Sequence, residues 1–342
     1  MPLGSDVTRP DRYARQAVLP EIGSEGQRAL GRAHVAVIGV GALGCVSADL
    51  LARAGVGHLR LVDRDVVEVV NLQRQTLYSE ADVDRPKAEA AAERLRAVNS
   101  TIRIEAVSKD VHAATVAGVV SGVDLIVDGT DNLEARFLLN EAALDDRLAF
   151  VYGGAVGTYG MVFAIRSPAT ACFRCVTPRM PPPGALPTCD TAGILNAVSA
   201  QVGSLQAGEA LRMLVGDPPA GDLLVVDGWR PEIQRIRVAR RPDCPACARG
   251  EREFLGARRS QVLASLCGSD TISVDPVAKG RVDLDAIERR LARLGTVRRA
   301  GSVLVVDAEG HRLTVFEDGR TLIRGVADEA KARAVYAKYV GS

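Results

Sequence analysis

The sequence predicts an α/β fold, in which a doubly wound and mostly parallel sheet forms a large domain and a smaller α+β unit follows. Two observations predict it. A β-branched run, a glycine-rich turn, a helix and a second apolar run follow one another between residues 35 and 63, and strands alternate with helices beyond them. Near Cys247 a charged stretch then separates the last part of the chain from the rest.

The first of these observations is a strand–turn–helix–strand unit. Val35–Ile38 is rich in β-branched residues, Gly39-Val-Gly41-Ala-Leu-Gly44 is the turn, a small-residue helix covers 45–54, and a second strand covers 59–62 and ends at Asp63. This order is typical of a Rossmann-like nucleotide-binding unit, in which glycines admit phosphates to a helix N-terminus and a carboxylate about 20 residues further on holds a ribose. The unit predicts a bound nucleotide but does not separate NAD from ATP.

The rest of the large domain continues the alternation. Proline in Arg85-Pro-Lys87 precedes a helix, as the first turn of a helix tolerates proline. The predicted elements are helices at 25–33, 88–98, 133–144 and 192–215, and strands at 102–107, 125–127, 150–152, 160–165, 223–227 and 233–238. A proline-rich break at 180–191 predicts a surface loop.

These patterns divide the chain into four parts. We expect a flexible N-terminus at 1–11, the large domain at 12–248, a linker at 249–261 and a small α+β domain at 262–342. The small domain is predicted to contain strands at 271–274, 303–306, 312–316 and 321–324 and helices at 284–294 and 329–339. No catalytic constellation is visible in it, and Cys267 is interpreted as a core residue.

Charge and composition exclude several classes of function. Lysine plus arginine (43) nearly balances aspartate plus glutamate (42), and aromatic residues make up 4%, so neither nucleic acid nor a membrane surface is an expected partner. No apolar run reaches the roughly 20 residues of a membrane span, and the polar N-terminus does not resemble a signal peptide. We therefore expect a cytoplasmic protein whose seven cysteines are not a disulfide framework.

Two CxxC pairs predict a metal site. They are Cys172-Phe-Arg-Cys175 and Cys244-Pro-Ala-Cys247. One pair alone could be a redox centre, but two pairs supply four thiolates, the ligand set of structural zinc. A closed four-sulfur shell leaves no position for a substrate, so we expect this zinc to join the end of the large domain to its middle.

Polar residues at the carboxyl ends of the predicted strands indicate the chemistry. Arg74 and Lys87 can hold a polyphosphate, Asp131 can bind Mg²⁺, and Asn71 and Gln73 can donate hydrogen bonds. A hydride-transfer enzyme needs an acid or base, and the four histidines (His34, His58, His112 and His311) fit structural roles. Cations and a carboxylate around a nucleotide favour adenylyl transfer over an NAD-dependent oxidoreductase or a catalytically inert scaffold.

In residues 12 to about 247 the chain resembles the ThiF/MoeB/HesA family, the bacterial relatives of ubiquitin-activating enzymes. The resemblance rests on the order of several motifs, namely Arg12-Tyr-Ala-Arg15-Gln16, the glycine-rich turn, Asn71-Leu-Gln-Arg-Gln75, Arg85-Pro-Lys87, Thr130-Asp-Asn132 and the two CxxC pairs. It implies a homodimer that uses Mg-ATP to adenylate the C-terminal glycine of a ubiquitin-like protein ending in Gly-Gly, with release of pyrophosphate.

The resemblance also implies a role for each matching residue. In the nucleotide site Gly39, Gly41, Ala42 and Gly44 form the turn, with the backbone N–H groups of Gly41 and Ala42 facing phosphate. Asp63 holds the ribose, Asn71, Arg74 and Lys87 bind the triphosphate, and Gln73 is a further nucleotide-binding residue. Asp131 coordinates magnesium and Asn132 lies beside the nucleotide. Arg15 reaches into the site of the partner subunit. Ala42 replaces a glycine found in many members, which is tolerable where φ is negative.

Two features bear on the downstream pathway. Cys189 matches a loop cysteine that some family members use for covalent attachment, although it could equally have no role. The C-terminal region is similar to that of ThiF-type adenylyltransferases and lacks a rhodanese active loop. This favours activation of a sulfur carrier for thiamine or molybdopterin synthesis, with sulfur supplied by a separate donor such as a cysteine desulfurase. Activation for protein conjugation, or adenylation of a peptide, remains the alternative.

Overall fold

The fold was obtained as a computed structural model, which describes residues 11–182, 185–230, 232–256, 263–265, 271–275, 281–326 and 328–341. Within these ranges, eight strands form the main sheet in the order β3-β2-β1-β4-β5-β6-β7-β8. The strands are β1 His34–Ile38, β2 His58–Val62, β3 Arg103–Val107, β4 Leu125–Asp128, β5 Ala149–Val156, β6 Tyr159–Ile165, β7 Asp222–Asp227 and β8 Glu232–Arg237. The predicted mostly parallel α/β sheet is confirmed.

The sheet consists of a parallel part and an antiparallel part. Neighbours from β3 to β5 pair in parallel, whereas β5 to β8 pair antiparallel. Chain order reverses between β1 and β4, which makes their carboxyl ends the switch point of the fold. In open α/β sheets ligands bind in the crevice at such a point.

Helices cover both faces of the main sheet. They are α1 Ala14–Ala17, α2 Gly23–Arg32, α3 Ala42–Ala54, α4 Lys87–Val98, α5 Val116–Val120, α6 Leu133–Asp145, α7 Phe173–Val176, α8 Cys189–Ala192 and α9 Asn196–Leu214, with 3₁₀ turns at Val69–Asn71 and Glu80–Asp82. Of the helices in the described part of the chain, none has the length and apolar character needed to cross a membrane.

The loop and helix predicted around residue 190 differ from the structure. The prediction ran one helix from residue 192, but α9 begins at Asn196. Gly193 has a φ of +72°, and Ile194 forms a bridge to Gly157. Across this bridge the N–H of Leu195 donates to the carbonyl of Gly157, and the N–H of Gly157 donates to the carbonyl of Gly193. These hydrogen bonds hold an extended segment between α8 and α9.

The core follows from the alternation of side chains along β1. Val35 and Val37 pack into one apolar cluster with residues of α3, α4 and α9. Ala36 and Ile38 pack into a second cluster on the opposite face, with residues of α5 and α6. A central strand that is buried on both faces reads as a continuous apolar run, which is why this stretch is recognisable in the sequence.

The C-terminal domain is a smaller antiparallel sheet with two helices on one face. Its strands are β9 Leu263–Ser265, β10 Thr271–Val274, β11 Thr296–Ala300, β12 Val303–Ala308, β13 His311–Val315 and β14 Thr321–Arg324, and its helices are α10 Leu284–Leu291 and α11 Glu329–Tyr339. The sheet order is β11-β12-β13-β14-β10-β9. The sequence prediction missed β9 and β11. Cys267, which was interpreted as a core residue, lies outside the described residues.

Alternation along β12 explains how this domain attaches to the first. Leu304 and Val306 pack with α10 and α11. Val303 and Val305 lie on the other face, in a cluster that includes Val66 of the large domain. One face of the small sheet therefore holds its own helices and the other contacts the large domain beside the end of β2.

Candidate active site

A cavity of about 560 Å³ lies at the carboxyl edge of the main sheet, at the switch point between β1 and β4. This volume is in the range of small-molecule sites. The cavity is lined by most of the residues predicted from the sequence for the nucleotide site, namely Gly39, Gly41, Ala42, Asp63, Asn71, Gln73, Arg74, Lys87, Asp131 and Asn132. Motifs that are far apart in the sequence are thus brought to one site.

The glycine-rich turn between β1 and α3 needs glycine for steric reasons. Gly39 has a φ of +83°, and a Cβ there would lie 2.7 Å from the carbonyl of Gly129. Gly44 does not line the cavity; a Cβ on Gly44 would lie 1.9 Å from the oxygen of Gly39. Gly44 therefore allows α3 to pack against the turn. Ala42 is the first residue of α3, so its methyl group is accommodated at a helical φ as expected.

Gly41 is the N-cap of α3, so the first N–H groups of a 13-residue helix are directed toward the cavity. These groups have no acceptor within the helix, and the helix dipole favours an anion beside them. Unlike Gly39 and Gly44, Gly41 has room for a side chain, because the nearest atom to an added Cβ is Nε2 of Gln75 at 3.8 Å. The turn thus offers a site for phosphate.

Asp63, at the end of β2, is held by backbone donors. Its Oδ2 accepts from the N–H of Val40 at 2.7 Å, and its Oδ1 accepts from the N–H of Asp65 at 2.8 Å. The carboxylate thereby links the glycine-rich turn to the loop after β2. Burial raises the pKa of Asp63, opposed by the nearby Lys87 ammonium.

Lys87, at the start of α4, forms an ion pair with Asp65. Its Nζ lies 3.4 Å from Oδ2 of Asp65, and the Lys87 side chain is 8% exposed. Burial lowers the pKa of Lys87, but Asp65, Asp63 and Asp131 outweigh that effect and hold it above its usual value. Lys87 is therefore a permanent cation in the wall of the cavity.

The remaining predicted residues are positioned by local turns. The Oδ1 of Asn71 accepts from the N–H of Glu68 at 3.2 Å, and Arg74 donates to the carbonyl of Val70 at 3.0 Å. Asn132 caps α6 by accepting from the N–H of Glu134 at 2.9 Å. Asp131, just before this cap, is an exposed carboxylate on the cavity wall.

Sequence reasoning missed several residues that line the cavity. Lys109 and Asp110 follow β3, and Arg136 lies in α6. Arg136 donates to the carbonyl of Thr130 at 2.6 Å. A place for Lys109 and Asp110 in the site could have been predicted, because they follow the end of a predicted strand, as Asp63 and Asp131 do. The C-terminal domain also contributes to the cavity, through residues for which the sequence predicted no role in the site: Thr271, Arg312, Thr314, Leu322 and Arg324.

Of the predicted catalytic residues whose side chains the structure describes, Arg15 does not line the cavity. Arg15 is exposed on α1, and its neighbours hold that segment in place: Arg12 donates to the carbonyl of Val98 at 3.0 Å and Gln16 to that of Ala54 at 2.9 Å. Cys189 begins α8, four residues before the cavity-lining Gly193, and its side chain lies outside the described part of the chain. Both roles stay predictions.

The four cysteines of the CxxC pairs come together as predicted. Sγ of Cys172 lies 3.7 Å from Sγ of Cys244, and Sγ of Cys175 lies 3.6 Å from Sγ of Cys247. All four sulfurs are within 4.8 Å of one another, whereas four thiolates at about 2.3 Å from a tetrahedral zinc lie about 3.8 Å apart. The arrangement fits a zinc ion. Cys45 lies outside the cluster, and burial raises its pKa to about 12, so it is a core residue.

None of the four histidines, all of which the structure describes, is among the residues that line the cavity. His34 and His58 start β1 and β2, and their rings stack with centroids 3.7 Å apart. This places them at the end of the strands opposite the site. Burial lowers the pKa of both imidazoles. In the C-terminal domain His311 hydrogen-bonds the carbonyl of Gly325 at 2.9 Å.

Comparison with known proteins identifies the family. A model of the ThiF family matches residues 13–246. The chain belongs to the ThiF family. Among relatives, it is 38% identical to the sulfur carrier protein ThiS adenylyltransferase of Bacillus subtilis, over 96% of this chain and 99% of that protein. It is 41% identical to the sulfur carrier protein adenylyltransferase of Thermus thermophilus, over 69% of this chain and 90% of that protein.

Two further proteins are similar to this chain, one in sequence and one in fold. The chain is 38% identical to the SAMP-activating enzyme E1 of Haloferax volcanii, over 73% of this chain and 93% of that protein. The structure of Escherichia coli MccB with ATP superposes with a TM-score of 0.60 at 21% identity, covering 70% of this chain and 75% of that chain. At this identity the likeness concerns the fold alone.

Proposed function

We propose that this protein transfers the AMP moiety of ATP to the C-terminal carboxylate of a ubiquitin-like sulfur carrier protein. An oxygen of the carrier's terminal carboxylate attacks the α-phosphorus. The bond between the α-phosphorus and the bridging oxygen breaks, and pyrophosphate leaves. The observation that carries this proposal is one cavity with a glycine-rich helix N-terminus, two cations (Arg74 and Lys87) and a carboxylate (Asp131).

The cavity residues have complementary roles in this reaction. The turn at Gly41 and Ala42 receives phosphate at the N-terminus of α3, and Asp63 holds the ribose. Lys87 and Arg74 offset the negative charge that develops on the triphosphate as pyrophosphate departs. Asn71 and Gln73 add hydrogen bonds, and Asn132 lies at the edge of the nucleotide. Little covalent chemistry is asked of the protein, so positioning and electrostatics provide the acceleration.

Two metal ions belong to the proposal. Asp131 would hold Mg²⁺, because an exposed carboxylate on the cavity wall is an oxygen ligand of the kind that this ion prefers; when bound, the ion supplies charge neutralisation at the phosphates. The four CxxC cysteines would hold zinc, with no open position for substrate. Zinc there would join residues 244–247 to the segment that begins at Cys172, a purely structural role.

The relatives indicate the class of protein substrate. The B. subtilis relative spans almost the whole of this chain and is named for ThiS, which favours thiamine synthesis as the pathway. The H. volcanii relative is named an activating enzyme E1, which keeps activation for protein conjugation as an alternative. A homodimer, with Arg15 reaching the partner's nucleotide, and a separate sulfur donor complete the proposal.

The test is ATP–pyrophosphate exchange with a carrier protein ending in Gly-Gly. We expect exchange that depends on the carrier, a carrier mass increased by AMP, and no exchange with a carrier lacking the two glycines. Asp131→Ala should abolish exchange. ATP–pyrophosphate exchange that does not require the carrier, or tight binding of NADH in place of ATP, would overturn the proposal.

The same assay, followed by addition of a sulfur donor, tests the role of Cys189. Displacement of pyrophosphate needs no thiol, so we expect Cys189→Ser to keep exchange at the wild-type rate. Addition of a sulfur donor then separates the two roles left open for this cysteine. Loss of thiocarboxylate formation on the carrier would assign Cys189 to sulfur transfer or covalent attachment, and unchanged formation would leave it without a role.

A further inference from the structure

Arg320 belongs to the C-terminal domain, yet its guanidinium is buried against the large domain. It follows a tight turn in which Gly319 donates to the carbonyl of Phe316, and its side chain is 1% exposed. Nη1 donates to the carbonyl of Arg64 at 2.6 Å, and Nη2 donates to the carbonyl of Ser108 at 3.2 Å. The guanidinium also lies over the ring of Phe316, 3.6 Å from its centroid.

Both carbonyls belong to loops that shape the nucleotide cavity. Arg64 lies between Asp63 and Asp65, and Ser108 directly precedes Lys109 and Asp110; those neighbours line the cavity. The two loops are adjacent, since the N–H of Asp63 donates to the carbonyl of Val107 at 3.1 Å. Arg320 therefore joins the loops after β2 and β3 without itself lining the cavity.

We propose that Arg320 is a positioning residue, through which the C-terminal domain holds the Asp63 and Lys109 loops in the geometry that binds nucleotide. This inference rests on the proposed function only in taking the cavity as a nucleotide site. Arg320 is not itself in the lining of the cavity. A planar fork with two donors fits this role, because it can hold two separate backbone carbonyls at once.

Charge supports the same role. Burial raises the pKa of Asp65, but Lys87, Arg64 and Arg320 outweigh that effect and keep it below its usual value. Arg320 thus helps to maintain the ionised Asp65 that pairs with Lys87. Burial also lowers the pKa of Arg320 itself, opposed by Asp318, Asp65, Asp275 and Asp110.

Other contacts show that the C-terminal domain is docked independently of Arg320. Ser302 donates from its backbone N–H to Glu89 at 3.1 Å, Arg298 pairs with Asp84 and Arg324 pairs with Glu68. The apolar contact of Val66 with β12 adds to them. A change at Arg320 can therefore alter the loops while the domain remains attached. The family match covers residues 13–246, so it includes Arg64 and Ser108 but not Arg320.

The experiment compares full-length variants in ATP–pyrophosphate exchange and in calorimetric binding of a non-hydrolysable ATP analogue. Arg320→Met removes both donors and the charge. We expect it to raise the KM for ATP and the Kd for the analogue about tenfold, the effect of losing hydrogen bonds from a charged donor, with the KM for the carrier unchanged. Arg320→Lys keeps the charge but not the fork and should lie between wild type and Arg320→Met.

Two control variants separate positioning from docking. Ser302→Ala removes the hydrogen bond from the Ser302 hydroxyl to Glu89, and Lys338→Ala breaks an exposed pair with Glu309; both should keep the wild-type KM for ATP. Wild-type nucleotide affinity in Arg320→Met and Arg320→Lys would overturn the proposal, as would an equal loss in Ser302→Ala. If Arg320→Met fails to fold, the KM for ATP and the Kd for the analogue of Arg320→Lys test the proposal alone. Binding of the analogue does not require the carrier protein. If the wild type binds the analogue but shows no exchange, the proposed adenylation reaction is contradicted, whereas the role of Arg320 in nucleotide binding can still be tested.

Discussion

Nζ of Lys87 lies 3.4 Å from Oδ2 of Asp65, and both side chains line the nucleotide cavity. Lys87 starts α4 and Asp65 follows β2, so the pair joins two residues that are 22 positions apart in the sequence. It places a cation with a raised pKa where a triphosphate is proposed to bind.

We expect Lys87→Ala to lower the rate of ATP–pyrophosphate exchange about 100-fold or more, because a positioned cation at a developing phosphate charge contributes on that scale. Lys338→Ala removes an exposed lysine of the C-terminal domain and should have no effect. A Lys87→Ala variant that keeps exchange within a few-fold of wild type would show that Lys87 does not act on the phosphates.

The same pair predicts a pH dependence of stability. The pKa of Asp65 is lowered in the folded state, so its contribution is present above the unfolded pKa of about 4 and is lost as pH falls through the folded value. At pH 7 we expect Asp65→Asn to lower the free energy of unfolding by about 1–2 kcal/mol, since its side chain is 31% exposed and solvent screens the pair. Urea unfolding should show this difference shrinking below about pH 4; a constant difference would contradict it.

The glycine-rich turn predicts opposite outcomes at two of its glycines. Gly44→Ala would place a methyl 1.9 Å from the oxygen of Gly39 and should lower the free energy of unfolding by about 2–4 kcal/mol. Gly41→Ala has 3.8 Å of room and should cost less than about 1 kcal/mol. Its methyl group would instead occupy space beside the phosphate site and raise the KM for ATP. Equal stabilities in urea for the two variants would refute the packing role of Gly44.

The cysteine cluster predicts a structural metal. We expect the purified protein to carry about one zinc per chain by mass spectrometry of the metal, and Cys172→Ser to lose it together with several degrees of Tm. Cys45→Ser is the matched control, because Cys45 is equally buried but lies outside the cluster; it should retain zinc. A fully folded, zinc-free wild type would contradict the prediction.

Arg15 predicts complementation between subunits. Arg15→Ala and Lys87→Ala should each be inactive in exchange. If Arg15 acts on the partner's nucleotide, a mixed dimer has one intact site. Random reassortment of equal amounts then restores about a quarter of wild-type activity, since half the dimers are mixed and each has one of two sites. No recovery after reassortment would remove Arg15 from the partner's site.

Much of the site could be predicted because its signals are local. The spacing from Gly39 to Gly44 and the apolar runs on either side specify a strand, a turn and a helix from contacts within a few residues. The CxxC pairs do the same for the cysteine cluster, since each pair forms one tight turn. The carboxyl ends of parallel strands meet at one edge of the sheet, so the positions of Asp63 and Asp131 after two predicted strands are enough to place them near each other.

The sequence by itself determined the α/β class, the glycine-rich turn, the four cysteines of the cluster and the polar residues at the carboxyl ends of β2 and β4, because each depends on short-range spacing and on the period of two in a strand. Only the tertiary structure decided that β5 to β8 run antiparallel, because an apolar strand pattern does not encode the direction of its neighbour. It alone also paired Lys87 with Asp65 and placed Arg320 in contact with the loops after β2 and β3. These contacts join residues that are distant in the chain. The Arg320 contacts exist because one face of the C-terminal sheet is buried against the large domain.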